Sequence, residues 1–401
     1  MAKRVLLVNK FYYPRGGDCV AVLNTETLLR ENGVEAQVFA MEYPQNLSAH
    51  YQDKFASEVT FGGGMGNQWR ALQRTLGRDD VRERFEAVLD DFKPDVVHLH
   101  NIHSYLSPVV GELAHQRGIR VVWTLHDYKL LCPRYDCLHR GKPCERCLKG
   151  AKYNVLTHKC MKNSLPASGV AWLEALKWNQ RKLEENTDLF VCPSEFMGRK
   201  MRAGGFDASK VKVVNNFLDP IKFEKYQSTD TVNKRGDYYC YVGRLSQEKG
   251  IERLLKVASR LPYHLKVAGG GPLEQDLRER FAGNSNIEFL GMLDAPQVAQ
   301  LLAGARLNVV PSQWYENNPL SVIEALCAGT PIAGADIGGI PELINNSNGI
   351  VFRPFDRETL ATAIDMAMTR DWDYDLIARE ALERFSPERH LQKLTSEIYG
   401  F

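Results

Sequence analysis

The chain has 401 residues, a formal net charge of +2 and 44% apolar residues, a length that exceeds one ordinary core and suggests two or three domains. So small a charge gives no global field to draw nucleic acid, and no window approaches the ~18 apolar residues that span a membrane. The opening MAKRVLLVNKFYYP has too short an apolar run for a secretion signal and no small-residue cleavage site, so a cytoplasmic protein with reduced cysteines is expected.

In chain order, RVLLVNKF reads as a first buried strand, followed by YYPRGGD and the amphipathic stretch CVAVLNTETLLRENG. Gly16 and Gly17 stand just ahead of that helix. They suit either a tight turn or a close approach of backbone N–H groups to an anion at the helix N-terminus. VEAQVFAM, DVVHLHN, IRVVWTLHD, DLFVCPS and KVKVVNN are further strands, and VRERFEAVLDDFKP is a helix closed by its proline. IRVVWTLHD ends on His126, Asp127; a histidine at a strand end is either structural or part of a site.

Directly after it, CPRYDCLHRGKPCERCLKGAKYNVLTHKC packs five cysteines into residues 132–160. Cys132, Cys144, Cys147 and Cys160, spaced C-x11-C-x2-C-x12-C, suit a tetrahedral structural zinc, with Cys137, His139 and His158 as spare ligands. Reduced thiols in a packed loop are the alternative. From Lys129 to Lys182 twelve Lys/Arg face three Asp/Glu, and Trp172 and Trp178 lie in the same stretch. That is either a solvated basic loop or a face for an anionic membrane or a lipid-diphosphate acceptor, which would bring peripheral association with the cytoplasmic membrane.

NNFLDPIKFEKYQSTDTVNKRGD (215–237) is polar and pattern-poor and reads as a linker. The strand–helix alternation then resumes: YYCYVGRL, IERLLKVASRL, HLKVAGGG, LEQDLRERFAG, NIEFLGML, PQVAQLLAGA, RLNVVPS, PLSVIEALCAG, TPIAGAD. Two such sets imply an α/β protein of two Rossmann-like domains with doubly wound parallel sheets, 1–215 and 216–383, facing across a cleft between their strand ends.

Three features of the second half carry chemistry. Arg244 at a strand end and Lys249 just before a helix, past the small Gly243, form either a solvated surface or a diphosphate clamp. Gly269, Gly270 and Gly271 leave room for a nucleotide against backbone, although neither GxGxxG nor a P-loop is present. In SQWYENNPLSVIEALCAGTP, Asn318 is a good N-cap and Pro319 a good first helical residue, so the amides of Leu320, Ser321 and Val322 point back at the loop holding Glu316. Glu324 follows within the helix. Carboxylates accept sugar hydroxyls well, so amides and cations would take a diphosphate, Glu324 the ribose and Glu316 the transferred sugar.

GRLSQEKG, GGGP and YENNPLSVIEALCAGTP, in this order, resemble the C-terminal domain of family 4 retaining glycosyltransferases, whose E-x7-E signature matches Glu316 to Glu324; YYPRGGD and TLHD fit the N-terminal domain. The resemblance implies a GT-B fold with a C-terminal helix, 384–401, returning to the first domain. It implies Gly17 near the donor phosphate, Arg244 and Lys249 on the diphosphate, Glu316 at the sugar, Glu324 at the ribose and His126 at the donor sugar. It implies sugar transfer from a nucleoside diphosphate to a hydroxyl acceptor, a glycan or lipid-linked glycan of the cell surface, by front-face attack with leaving-group stabilisation. No DxD-type pair stands near these motifs, so no catalytic metal is expected. Asn317 and Asn318 replace a Gly-Phe pair common in the family, which leaves the donor sugar open. A GT-B epimerase or phosphorylase is the alternative enzyme, and a non-catalytic sugar-nucleotide-binding subunit the alternative without chemistry.

Overall fold

A computed structural model describes residues 3–61, 64–228 and 235–401. Six strands form a first parallel sheet: β1 (Arg4–Val8), β2 (Glu35–Phe39), β3 (Val96–Leu99), β4 (Arg120–Thr124), β5 (Leu189–Cys192) and β6 (Val211–Val213), in the order β2-β1-β3-β4-β5-β6. Leu6 of β1 lies opposite Gln37 of β2 and Val97 of β3. A second parallel sheet has β7 (Tyr238–Val242), β8 (His264–Ala268), β9 (Ile287–Gly291), β10 (Leu307–Val310), β11 (Ile332–Ala335) and β12 (Gly349–Phe352), in the order β9-β8-β7-β10-β11-β12. Every residue of β3, β10 and β11 is buried, as strands covered on both faces require, and their residues are apolar except for the buried His98 and Asn308. Chain order reverses direction between β1 and β3 in one sheet and between β7 and β10 in the other, the points where open parallel sheets take ligands.

The chain divides into two compact units: residues 1–137, 145–215 and 390–401, and residues 138–144 and 216–389. The C-terminal segment expected from 384 therefore joins the first unit at His390. There Tyr399 donates to or accepts from His98 Nδ1 at 2.7 Å, and Arg120 Nε donates to the Ile398 carbonyl at 2.9 Å. The expected linker is not without pattern. Asp219 Oδ1 accepts the Lys222 amide at 2.9 Å, Pro220 follows, and the helix Pro220–Gln227 buries Phe223 and Tyr226. Asp-Pro is an N-cap followed by a favoured first residue, a start signal in the sequence itself. Residues 229–234 of that stretch lie outside the described residues.

The basic stretch after β4 is partly internal. Trp178 is buried and its Nε1 donates to the Thr75 carbonyl at 2.9 Å, while Lys129 pairs with the buried Glu174 at 2.7 Å. Trp178 thus belongs to the core and not to a membrane face. Among the described residues no helix is long and apolar enough to cross a membrane.

Tyr399→Phe removes a buried hydrogen bond and leaves a ring nitrogen of His98 unpartnered. We expect a loss of about 1–2 kcal/mol in urea unfolding of the full chain, with a first-sheet fold otherwise unchanged by circular dichroism.

Candidate functional site

In the second unit the functional side chains stand on loops at the carboxyl ends of β7 and β10. Glu316, buried on the loop after β10, takes three hydrogen bonds on Oε1: Lys249 Nζ at 2.7 Å, Ser312 Oγ at 2.7 Å and Trp314 Nε1 at 2.8 Å. Its other oxygen, Oε2, has no partner among the described residues. Burial alone would raise this carboxyl. The Lys249 ammonium and the hydrogen bonds outweigh it and hold Glu316 below the ordinary carboxylate value. The backbone is fixed too, since the Glu316 carbonyl accepts the Gly339 amide at 2.7 Å.

Glu324 is paired as well: Lys222 Nζ lies 2.5 Å from its Oε1. Burial would lower the Lys222 ammonium, but Glu324 and Asp219 raise it above its ordinary value. Lys222 went unnoticed in the sequence because it sits on the helix hidden in the supposed linker. Arg244 is exposed and has no ion pair among the described residues, which leaves its guanidinium available.

The helix expected from Pro319 starts one residue later, at Leu320–Cys327. Asn318 does not cap it. Its Oδ1 accepts the Asn216 amide at 2.8 Å and its carbonyl accepts Asn216 Nδ2 at 2.7 Å, so the side chain that would cap is spent on residue 216. The Val322 amide is also used, donating to the Pro319 carbonyl at 3.0 Å. The amides of Leu320 and Ser321 keep no partner among the described residues, and Asn318 Nδ2 is buried without one. An uncapped N-terminus with unpaired N–H groups is an anion site in waiting.

The triple glycine has a fold reason. Gly269 (φ +131°) and Gly271 (φ +159°) would drive a Cβ into the backbone of Gly243 and Leu245, and the Leu245 amide donates to the Gly270 carbonyl at 2.9 Å. These glycines bring two strand-end loops together and so position Arg244. Gly16 and Gly17 behave differently. Neither has positive φ, a Cβ at Gly17 would meet nothing, and the helix Gly17–Glu31 has no side-chain cap. The fold itself does not require glycine at Gly17.

In the first unit, the loops after β1, β3 and β4 join. Asn9 Oδ1 accepts the Asn101 amide at 3.0 Å, Asn101 Nδ2 donates to Asp18 at 2.7 Å, and Lys10 lies 3.5 Å from Asp18. His126 Nε2 is 3.0 Å from His100 Nδ1, and His98 and His100 stack with ring centroids 4.1 Å apart. Burial pushes His126 down to about 4, so it is neutral at pH 7, and pushes Asp127 up to about 6. Asp18, His98 and His100 were not singled out by sequence reasoning, yet the alternation in HLH puts His98 and His100 on one side of the β3 strand line.

The neighbouring Cys137 thiol brings Cys132 down to about 7, while Cys132 and burial push Cys137 up. Among the described residues no three His, Cys, Asp or Glu side chains are grouped so as to hold a metal ion.

Residues 16–222 match the family model described as Glycosyltransferase Family 4, and residues 222–386 that described as Glycosyl transferases group 1. The chain belongs to glycosyltransferase family 4. This family 4 chain is 28% identical over 253 residues to the sulfoquinovosyl transferase SQD2 of Arabidopsis thaliana, covering 59% of this chain but only 49% of that protein. It is 25% identical to an uncharacterized 42.6 kDa protein in the cps region of Klebsiella pneumoniae, covering 94% and 98% of the two chains. Its fold is that of the lipopolysaccharide outer core galactosyltransferase WaaB in its apo form, with a TM-score of 0.66, 14% identity and 99% of each chain covered.

Two expectations follow for this family 4 site. Lys249→Met strands a buried carboxylate and should destabilise the protein by about 2 kcal/mol at pH 7, with Lys249→Met/Glu316→Gln recovering most of the loss in urea titrations. The second concerns His98, His126 and His390, which burial pushes down to about 3, about 4 and about 4. The unfolded chain protonates them near pH 6.5 and the folded chain does not, so stability falls as pH drops from 6.5 towards 4. The expected loss is roughly 1 kcal/mol per histidine at pH 5.5 relative to pH 8, read from urea midpoints.

Proposed function

We infer that this chain transfers a sugar from a nucleoside diphosphate donor to a hydroxyl of a growing cell-surface glycan, with retention of anomeric configuration. The observation that carries the reading is the anion and hydroxyl site of the second unit. Unpaired amides of Leu320 and Ser321 and the available guanidinium of Arg244 suit a diphosphate, and Glu316 Oε2 is an acceptor held ionised by Lys249. Glu324, oriented by Lys222, suits the ribose hydroxyls.

In the step itself the bond from the anomeric carbon to the phosphate oxygen breaks and a bond to the acceptor oxygen forms on the same face. The acceptor proton passes to the departing phosphate. Negative charge grows on the diphosphate, so Lys249, Arg244 and the helix-end amides stabilise the transition state more than the bound donor. His126, neutral at pH 7, is suited to exchange hydrogen bonds with a sugar hydroxyl without adding charge. The cell-surface setting is supported by the Klebsiella cps-region relative, which matches nearly end to end.

The test screens UDP-, GDP- and ADP-sugars for thermal stabilisation, then follows product stereochemistry by NMR. One class should stabilise the protein and yield product with the donor's anomeric configuration. Arg244→Ala should lower kcat/KM by about 100-fold with unchanged circular dichroism. An inverted product, or full activity in Arg244→Ala, would contradict the reading.

A further inference from the structure

The loops that follow β1, β2 and β3 carry a row of aromatic rings, from the buried Phe11 through the half-buried Tyr13, Tyr43 and Tyr105 to the exposed Phe61, that the donor chemistry does not use. Tyr13 and Tyr43 lie parallel, 3° apart with centroids 5.6 Å apart. Phe11 packs edge-on against both, at 5.7 and 5.1 Å, and meets Tyr105 at 5.5 Å; Phe61 extends the row at 5.1 Å from Tyr105. Lys10 lies 5.8 Å from the centre of the Tyr105 ring and 3.5 Å from Asp18, so one end of the row adjoins the Asp18 and His126 loops. At the other end Tyr43 walls a cavity of about 480 Å³ with Leu47, Asn46, Gln52, Glu42 and Glu58.

The row is held rigid from beneath. The fully buried Arg74 donates to the Tyr105 carbonyl at 2.6 Å and to the Ser57 carbonyl at 2.9 Å. Asn46 accepts the Tyr12 amide at 3.0 Å and donates to the Met41 carbonyl at 2.8 Å, which ties the Tyr13 loop to the Tyr43 loop. Fixed half-exposed rings beside carboxylate and amide groups fit a ligand with one apolar C–H face and a rim of hydroxyls. The electron-rich ring face attracts polarised C–H groups, and the carboxylates accept O–H donors. A lipid tail would find the cavity rim, with Glu42, Asn46, Gln52 and Glu58, too polar.

The geometry points to a carbohydrate subsite: Tyr13, Tyr43 and Tyr105 with the cavity beside Tyr43 hold a sugar ring of the acceptor other than the ring being glycosylated. This rests on the transfer reading and narrows it, because it makes the acceptor an oligosaccharide and not a simple alcohol. Tyr43 is the central anchor, shared by the ring row and the cavity.

The test uses the full chain and methyl glycosides of glucose, galactose, mannose and N-acetylglucosamine as probes, observed by saturation-transfer NMR. At least one should bind in the millimolar range, with transfer strongest to the C–H protons of one face. Tyr43→Ala should weaken it about tenfold, while Tyr43→Phe, which keeps the ring, stays within about twofold. Nucleoside diphosphate affinity, measured in the same variants, reports whether Tyr43→Ala is folded; if it is not, Tyr105→Ala takes its place with the same expected loss. Binding unchanged in the folded alanine variants, or no glycoside bound by the wild-type chain below about 50 mM, overturns the subsite. Glycoside binding without any nucleotide-sugar binding would overturn the transfer reading and leave the subsite standing.

Discussion

A buried carboxylate is costly, and Glu316 is buried at a strand end. Lys249 makes it tolerable. That single ion pair ties the loop after β7 to the loop after β10 across the point where the strand order reverses, so it fixes the two pieces of backbone on which the proposed donor chemistry relies. With Oε1 taken by three donors, the second oxygen is free of protein partners among the described residues, and the Lys249 ammonium favours the ionised form. The same logic repeats at Glu324, whose partner Lys222 stands on the helix that opens the second unit. Each glutamate is thus aimed by a lysine, and the cation that would meet the diphosphate is already in place before any ligand arrives.

The first unit manages polarity by a different route. Its histidines are packed neutral against one another and against Tyr399 and Thr124, so the sheet's carboxyl end carries hydrogen-bonding capacity without positive charge. Lys10 and Asp18 supply the compensating pair at the mouth of the helix Gly17–Glu31. Sugar hydroxyls are well served by such groups, and a neutral imidazole neither attracts nor repels a diphosphate. The aromatic row beginning at Tyr105 continues this uncharged character outward.

Much of this was legible beforehand because it depends on local rules. Continuous apolar runs gave both sheets, and strand-end position singled out Arg244, Lys249, Glu316 and His126. Pairing across long separations was not legible. Nothing in the sequence ties Lys249 to residue 316 or Lys222 to residue 324, and Asn318 reads as a cap until residue 216 claims its side chain. The glycines divide by cause: Gly269 and Gly271 are demanded by backbone contact, whereas Gly17 is not.

The central claim is that the second unit is a diphosphate site built around the Lys249–Glu316 pair. It is tested most directly by calorimetric titration of nucleoside diphosphates against the matching nucleoside monophosphates, in the wild-type chain and in Lys249→Ala. The account predicts that the preferred diphosphate binds the wild type at least tenfold more tightly than its monophosphate, and that Lys249→Ala removes most of that difference. Equal affinities for the two nucleotides, or a difference untouched by Lys249→Ala, would contradict it.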